Sequence, residues 1–221
     1  MANQSHRTLF IDGPAGRLEA ILWKPPASTH GPLLAAILCH PHPLFGGTMH
    51  NKVVYQVNKT FDRLGIAVLR FNFRGVGLSD GSHARGIGER DDVRAALDFL
   101  AHEFSGTPLL LAGFSFGSWV GMRVGCEDAR VSELIGIGAP ANNSDFSYLQ
   151  DCAKPKLFVQ GSQDPYGSPD RLNDLVRSIP GSNELKIVEG AEHFFVGKLG
   201  ELDDALADWL IARHPQLTSR E

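Results

Sequence analysis

The chain has 221 residues, 43% of them hydrophobic and 21% charged, which is enough apolar material for one globular domain (1–221) with a sizeable core. A formal net charge of -4 supplies no bulk attraction to nucleic acid or to an anionic membrane surface, and no apolar run approaches the ~20 residues of a membrane span. The opening MANQSHRTLFIDG lacks a basic start followed by an apolar core, so the expectation is a cytoplasmic protein, monomer or homodimer, whose partner is a small molecule.

Taken from the N-terminus, TLFIDG (8–13) and RLEAILWKP (17–25) alternate apolar and polar residues and predict a strand pair at a sheet edge, turning at 13–16. LLAAILCH (33–40), IAVLRFNF (66–73), PLLLAGF (108–114), LIGIGA (134–139), KLFVQG (156–161) and LKIVEG (185–190) are short and almost continuously apolar. That pattern predicts central strands buried on both faces. Between them, segments 51–65, 89–104, 116–128 and 168–179 carry helical spacing. Segment 201–214 closes the chain with Leu202, Leu206, Trp209 and Leu210 on one helical face. The alternation predicts an α/β fold: a doubly wound, mostly parallel eight-stranded sheet with helices on both faces. Cys39, Cys126 and Cys152 are too few and too widely spaced for a disulfide framework or a CxxC metal site, and are expected as buried, reduced thiols.

The stretch LLLAGFSFGSWVG (109–121) runs from a predicted strand through glycine, serine and glycine into a predicted helix. This is the form of a nucleophile elbow, in which Ser115 is held strained above the sheet edge with helix N–H groups pointing at whatever its hydroxyl attacks. The five-residue pattern alone is cheap in a chain with 24 glycines, where a helix-capping serine is the plain alternative, so context has to carry the argument. A serine hydroxyl needs a base and the base needs an orienting acid, in the chain order serine, acid, histidine for doubly wound hydrolases. Asp164 follows KLFVQG and His193 follows LKIVEG, each just past a strand's carboxyl end, where open parallel sheets build their sites. Asp145, Asp151 and Glu192 are rival acids. The first two precede the strand KLFVQG, and Glu192 is too close in sequence to His193 to orient its ring from behind.

Acyl transfer also needs two fixed donors for a developing oxyanion. One is expected from the N–H of Phe116, next to the nucleophile. The other is expected from the loop HPHPLFGG (40–47), where Pro41 and Pro43 have no N–H and leave His42 or Leu44. His40 and His42 at alternate positions, with His50 beyond, match part of a metal pattern. The flanking prolines and the lack of a nearby carboxylate make loop braces the preferred role, and no metal or cofactor is expected. In FNFRGVGLSDG (71–81) the glycines Gly75, Gly77 and Gly81 lack phosphate-loop spacing and are expected to shape a turn, fixed by an Arg74–Asp80 pair.

With CHPHPLFGGTMHNKVV, FNFRGVGLSDG, GFSFG, QGSQDPYG and GAEHFF in place, the chain resembles small serine hydrolases of the alpha/beta-hydrolase superfamily, near its dienelactone-hydrolase-like members, over nearly its whole length. The resemblance implies that Ser115, Asp164 and His193 form a triad that cleaves ester or related acyl bonds, and it favours Leu44 over His42 as second oxyanion donor. Dienelactone hydrolases proper use cysteine where this chain has Ser115, so lactone specificity is not carried over. Only residues 139–155 separate LIGIGA from KLFVQG, too few for a lid domain. Phe45, Phe146, Tyr166 and Phe194 are therefore expected to wall a shallow pocket for acyl groups of roughly two to four carbons, with some of the neighbouring aromatics Phe116, Tyr148 and Phe195 closing the core instead. The expected activity is a serine carboxylesterase-type hydrolase acting through an acyl-enzyme. The alternatives are a thioesterase or acyltransferase, a small amidase or peptidase on the same triad, and a non-catalytic scaffold.

Overall fold

The computed structural model describes residues 5–25 and 31–217. Part of the MANQSHRTLFIDG stretch, residues 1–4, lies outside them. Eight strands form one sheet: β1 Ser5–Gly13, β2 Gly16–Lys24, β3 Ala35–Cys39, β4 Ala67–Phe71, β5 Leu109–Phe114, β6 Val131–Ile137, β7 Lys156–Gly161 and β8 Asn183–Val188. Their spatial order is β1-β2-β4-β3-β5-β6-β7-β8. β1 and β2 pair antiparallel at one edge as expected, β2 runs antiparallel to β4, and every other pair is parallel.

The helices are α1 Lys52–Arg63, α2 Gly88–Glu103, α3 Phe116–Glu127, α4 Pro169–Ser178 and α5 Leu199–Arg213. Side chains of α2, α3 and α4 share one core with β1 and β2, while α1 and α5 cover the opposite face. This is why the central strands are apolar without alternation: β3, β4, β5 and β7 are buried at every position. Helix starts follow local chemistry. The Asn51 side chain accepts the N–H of Val53 at 2.9 Å at the head of α1, and Ser168 caps α4 ahead of Pro169.

Two expectations are corrected here. LKIVEG is not a central strand: β8 is the far edge of the sheet, and its exposure alternates because Glu184 and Lys186 interleave with Leu185 and Ile187. The 71–81 turn is not fixed by an Arg74–Asp80 pair. Arg74 instead grips the buried Asp92 of α2, with Nη2 2.7 Å from Oδ1 and its own N–H donating to Oδ2 at 3.0 Å. Asp80 turns the other way and accepts the N–H of Arg17 at 2.8 Å. The turn reaches two elements at once, so each charge finds the nearer partner. All three cysteines are free thiols; Cys39 and Cys152 are buried, and Cys126 is half-buried on α3.

Candidate active site

Parallel strands bring the carboxyl ends of β5, β7 and β8 to one side of the sheet, and the three predicted residues meet there. Ser115 sits between β5 and α3 at φ 53°, ψ -119°, a left-handed conformation that costs a non-glycine residue about 1–3 kcal/mol. Its backbone is pinned from both sides. Ser115 N–H donates to Ile137 O at 2.8 Å, and its carbonyl accepts from the Ser118 hydroxyl at 2.6 Å. The glycines of GFSFG have a packing reason as well as a turn reason. A Cβ on Gly117 would run into the Cys39 carbonyl and lie 2.6 Å from that of His40, and a Cβ on Gly113 would run into the Gly117 carbonyl. Without those atoms, the first turn of α3 presses onto the end of β3, where the HPHPLFGG loop begins.

Ser115 Oγ lies 2.9 Å from His193 Nε2, and His193 Nδ1 lies 2.7 Å from Asp164 Oδ2. Asp164 and His193 are both buried. The Asp164 carboxylate also accepts from Gln160 Nε2 at 2.8 Å and from the N–H of Tyr166 at 2.9 Å. The rival acids stand away from the His193 ring nitrogens. Asp145 accepts the N–H and hydroxyl of Ser147, which hold its carboxyl below the usual range. Glu192 accepts the N–H of Val196, and Asp151 is exposed at the end of a 3-10 turn, Ser147–Asp151.

In the HPHPLFGG loop the histidines brace the backbone. His40 Nε2 accepts the N–H of Phe73 at 3.0 Å and Nδ1 donates to Pro41 O at 2.6 Å, so this buried ring is neutral with its proton on Nδ1. Burial pushes its pKa down to about 4. His42 Nδ1 accepts the N–H of Leu44 at 3.2 Å, and burial, followed by the neighbouring His83, holds that ring's pKa low too. The Leu44 N–H is therefore spent inside the loop. The N–H groups of His42 and Phe116 have no partner among the described residues, and the rings of the two residues are 4.8 Å apart.

His40 makes stability acid-sensitive. Its folded pKa lies below the 6.5 of a free imidazole, so the unfolded chain binds the proton more tightly. The contribution is complete above pH 6.5 and is lost progressively as pH falls to about 4, reaching about 3 kcal/mol at about 1.4 kcal/mol per tenfold change in proton affinity. Urea unfolding at pH 7, 5.5 and 4.5 is expected to show this decline in the wild type and a flatter one in His40→Gln. Equal slopes would assign the decline to other groups.

A cavity of about 630 Å³ opens over Ser115 and His193. Phe45, Tyr166 and Phe194 line it as expected, together with Phe116, Trp119 and Pro140. Phe146 does not: it is 4% exposed and packed in the core under the 3-10 turn, because the preceding Asp145 takes the cavity-facing position. Phe195 is likewise core, on the opposite face of the sheet, and Tyr148 packs against the core that holds Phe146, its hydroxyl donating to Trp119 O at 3.0 Å. Residues unforeseen in the sequence are Gln160, Trp119, His83 and Arg85. Two carried a signal: Gln160 is a polar residue inside an apolar strand, and Trp119 stands one helical turn past Ser115, facing the same cavity. The Trp119 indole donates to Asp145 O at 2.9 Å, which fixes it as a wall.

Residues 36–207 match a family model described as an alpha/beta hydrolase domain. The chain belongs to the alpha/beta hydrolase family. An alpha-beta serine hydrolase homologue from Coxiella burnetii is 39% identical, with a TM-score of 0.86 over 95% of this chain and 98% of the other. A serine hydrolase of the same class from Xanthomonas campestris, described as lacking a lid, is 36% identical with a TM-score of 0.86 over 95% of each chain. In this chain residues 138–155 connect β6 to β7 and hold one short 3-10 turn. A shorter match, 32% identical over 44% of this chain and 32% of the relative, is to a mitochondrial palmitoyl-protein thioesterase from Rattus norvegicus. No helix among the described residues of the hydrolase is long and apolar enough to cross a membrane.

Proposed function

We propose that this alpha/beta hydrolase is a carboxylesterase-type enzyme that cleaves short-acyl esters through an acyl-Ser115 intermediate. The observation that carries this is the continuous line Ser115 Oγ, His193 Nε2, His193 Nδ1, Asp164 Oδ2, at 2.9 and 2.7 Å. With Asp164 ionised and accepting from Nδ1–H, Nε2 is left as an acceptor aimed at the serine hydroxyl. As Oγ attacks the ester carbonyl, its proton passes to Nε2 and the carbonyl oxygen becomes an oxyanion. The collapse breaks the bond to the alcohol oxygen, which takes that proton and leaves. Water then repeats the sequence on the acyl-enzyme, giving up a proton to Nε2 and releasing the acid and Ser115.

In this proposal the oxyanion is received by the N–H groups of Phe116 and His42. His42 replaces Leu44 as the second donor because Leu44 already donates to the His42 ring. That ring-to-backbone bond holds the loop and gives the rigid HPHP segment a catalytic purpose.

The 630 Å³ cavity is roomier than the shallow slot expected, and its open mouth leaves the alcohol half in contact with solvent. Phe45, 86% exposed, covers an acyl chain on one side only. Each methylene contributes about 0.8 kcal/mol, roughly a fourfold gain in kcat/KM, only while protein covers it. A nitrophenyl ester series below micelle-forming concentrations is therefore expected to peak at about two to six carbons, with the twelve-carbon ester at least about tenfold poorer. A peak at twelve carbons or more would overturn the short-acyl proposal. Running acyl thioesters and amides beside the esters tests the second reading, thioester cleavage, which the partial match to the rat thioesterase favours.

A further inference from the structure

Gln160 is the next-to-last residue of β7, wholly buried in a strand whose preceding residues Leu157, Phe158 and Val159 belong to the core. Its Nε2 donates to Asp164 Oδ2 at 2.8 Å, the oxygen that faces His193 Nδ1, and to Gly167 O at 2.9 Å. At the other end of the same amide, Oε1 is buried with no partner among the described residues. Turning the amide over offers no remedy, because Oε1 would then face two acceptors, Asp164 Oδ2 and the Gly167 carbonyl. A buried acceptor left without a donor is costly, and an apolar residue of similar shape would avoid that cost. The site therefore retains this side chain for what Nε2 does.

We infer that Gln160 is a positioning residue for the Ser115–His193–Asp164 line: it steers the Asp164 carboxylate onto His193 and tempers the negative charge presented to the imidazole. The inference rests on the hydrolase proposal above. The N–H of Tyr166 fixes one carboxylate oxygen, and Gln160 shares the other with His193. Removing the amide donor concentrates charge on the oxygen facing His193, so the imidazolium is held more tightly and protonation persists to higher pH. Few other groups bear on that ring. Tyr166 stands edge-on at 4.6 Å and Ser115 lies at Nε2. Glu192, next in sequence, is turned onto the Val196 N–H, and Lys52 of α1 lies over the Phe194 ring at 5.8 Å. Phe114 and Gly138 pack against His193 without charge.

The test compares wild type with Gln160→Met and Gln160→Leu, reading the pH profile of nitrophenyl acetate hydrolysis and an NMR titration of the His193 ring. In Gln160→Met the acid limb of kcat/KM and the ring titration are both expected to move to higher pH by about half a unit or more, with kcat falling several-fold and KM little changed. In Gln160→Leu, a second apolar replacement and the variant to rely on if the methionine protein does not fold, both are expected to move in the same direction. Profiles and titrations that superimpose on wild type, even with uniformly lower kcat, would overturn the inference and leave Gln160 a packing residue. The NMR titration is repeated in a Ser115→Ala background. Full hydrolysis by Ser115→Ala would defeat the hydrolase proposal itself, while the ring titration still decides what Gln160 does to His193.

Discussion

Replacing Asp164 with asparagine is expected to lower kcat for nitrophenyl acetate by about three to four orders of magnitude while leaving the protein folded. The reason lies in the three donors around that carboxylate: His193 Nδ1, Gln160 Nε2 and the Tyr166 N–H. An asparagine has one oxygen, so its NH₂ must face some of these donors. If the oxygen stays on the Tyr166 N–H, the NH₂ meets His193 and Gln160. His193 then escapes only by moving its proton to Nε2, where it can no longer accept from Ser115. If the amide turns over, the NH₂ meets the Tyr166 N–H instead, and a buried donor goes unpaired at about 1–3 kcal/mol of stability. His193→Ala, which removes the base outright, is expected to cost at least as much in kcat. Asp145→Asn is the control, since that carboxylate lines the cavity but its hydrogen bonds go to Ser147, and its kcat is expected to stay within a few-fold of wild type. Loss of activity in Asp145→Asn with retention in Asp164→Asn would move the orienting role to Asp145.

The features visible in the sequence are those whose chemistry is local. Doubly buried strands such as β5 and β7 announce themselves as unbroken apolar runs, and GFSFG is legible because the elbow demands both a strained serine and glycines that let α3 reach β3. Asp164 and His193 were legible because parallel pairing sends the carboxyl ends of β3 to β8 to the same side, where the residues that follow β5, β7 and β8 can meet.

What escaped depends on contacts between segments far apart in the chain. Nothing near Arg74 says that its partner is Asp92 of α2 rather than Asp80, and β8 resembles a central strand until Glu184 and Lys186 are seen facing outward at an edge. Phe146 and Phe45 are equally aromatic and equally close to motifs, yet one is core and the other the most exposed large apolar side chain among the described residues; only the path of the loops separates them. The proposal of His42 over Leu44 rests on a single ring-to-backbone hydrogen bond, a detail that residue types alone do not encode.

The most direct test of the central claim, that Ser115 is an activated nucleophile, is reaction with a fluorophosphonate probe followed by peptide mass mapping. An unactivated serine hydroxyl attacks phosphorus slowly at neutral pH, whereas one that hands its proton to His193 attacks rapidly, expelling fluoride and leaving the phosphonyl oxygen toward Phe116 and His42. Ser118, in the same turn, is an internal control: it is buried and its hydroxyl donates to Ser115 O at 2.6 Å, so it is expected to stay unmodified. The account predicts one label per chain, on Ser115, absent in Ser115→Ala and strongly slowed in His193→Ala. Label on any other residue, or none on protein that is demonstrably folded, would contradict it.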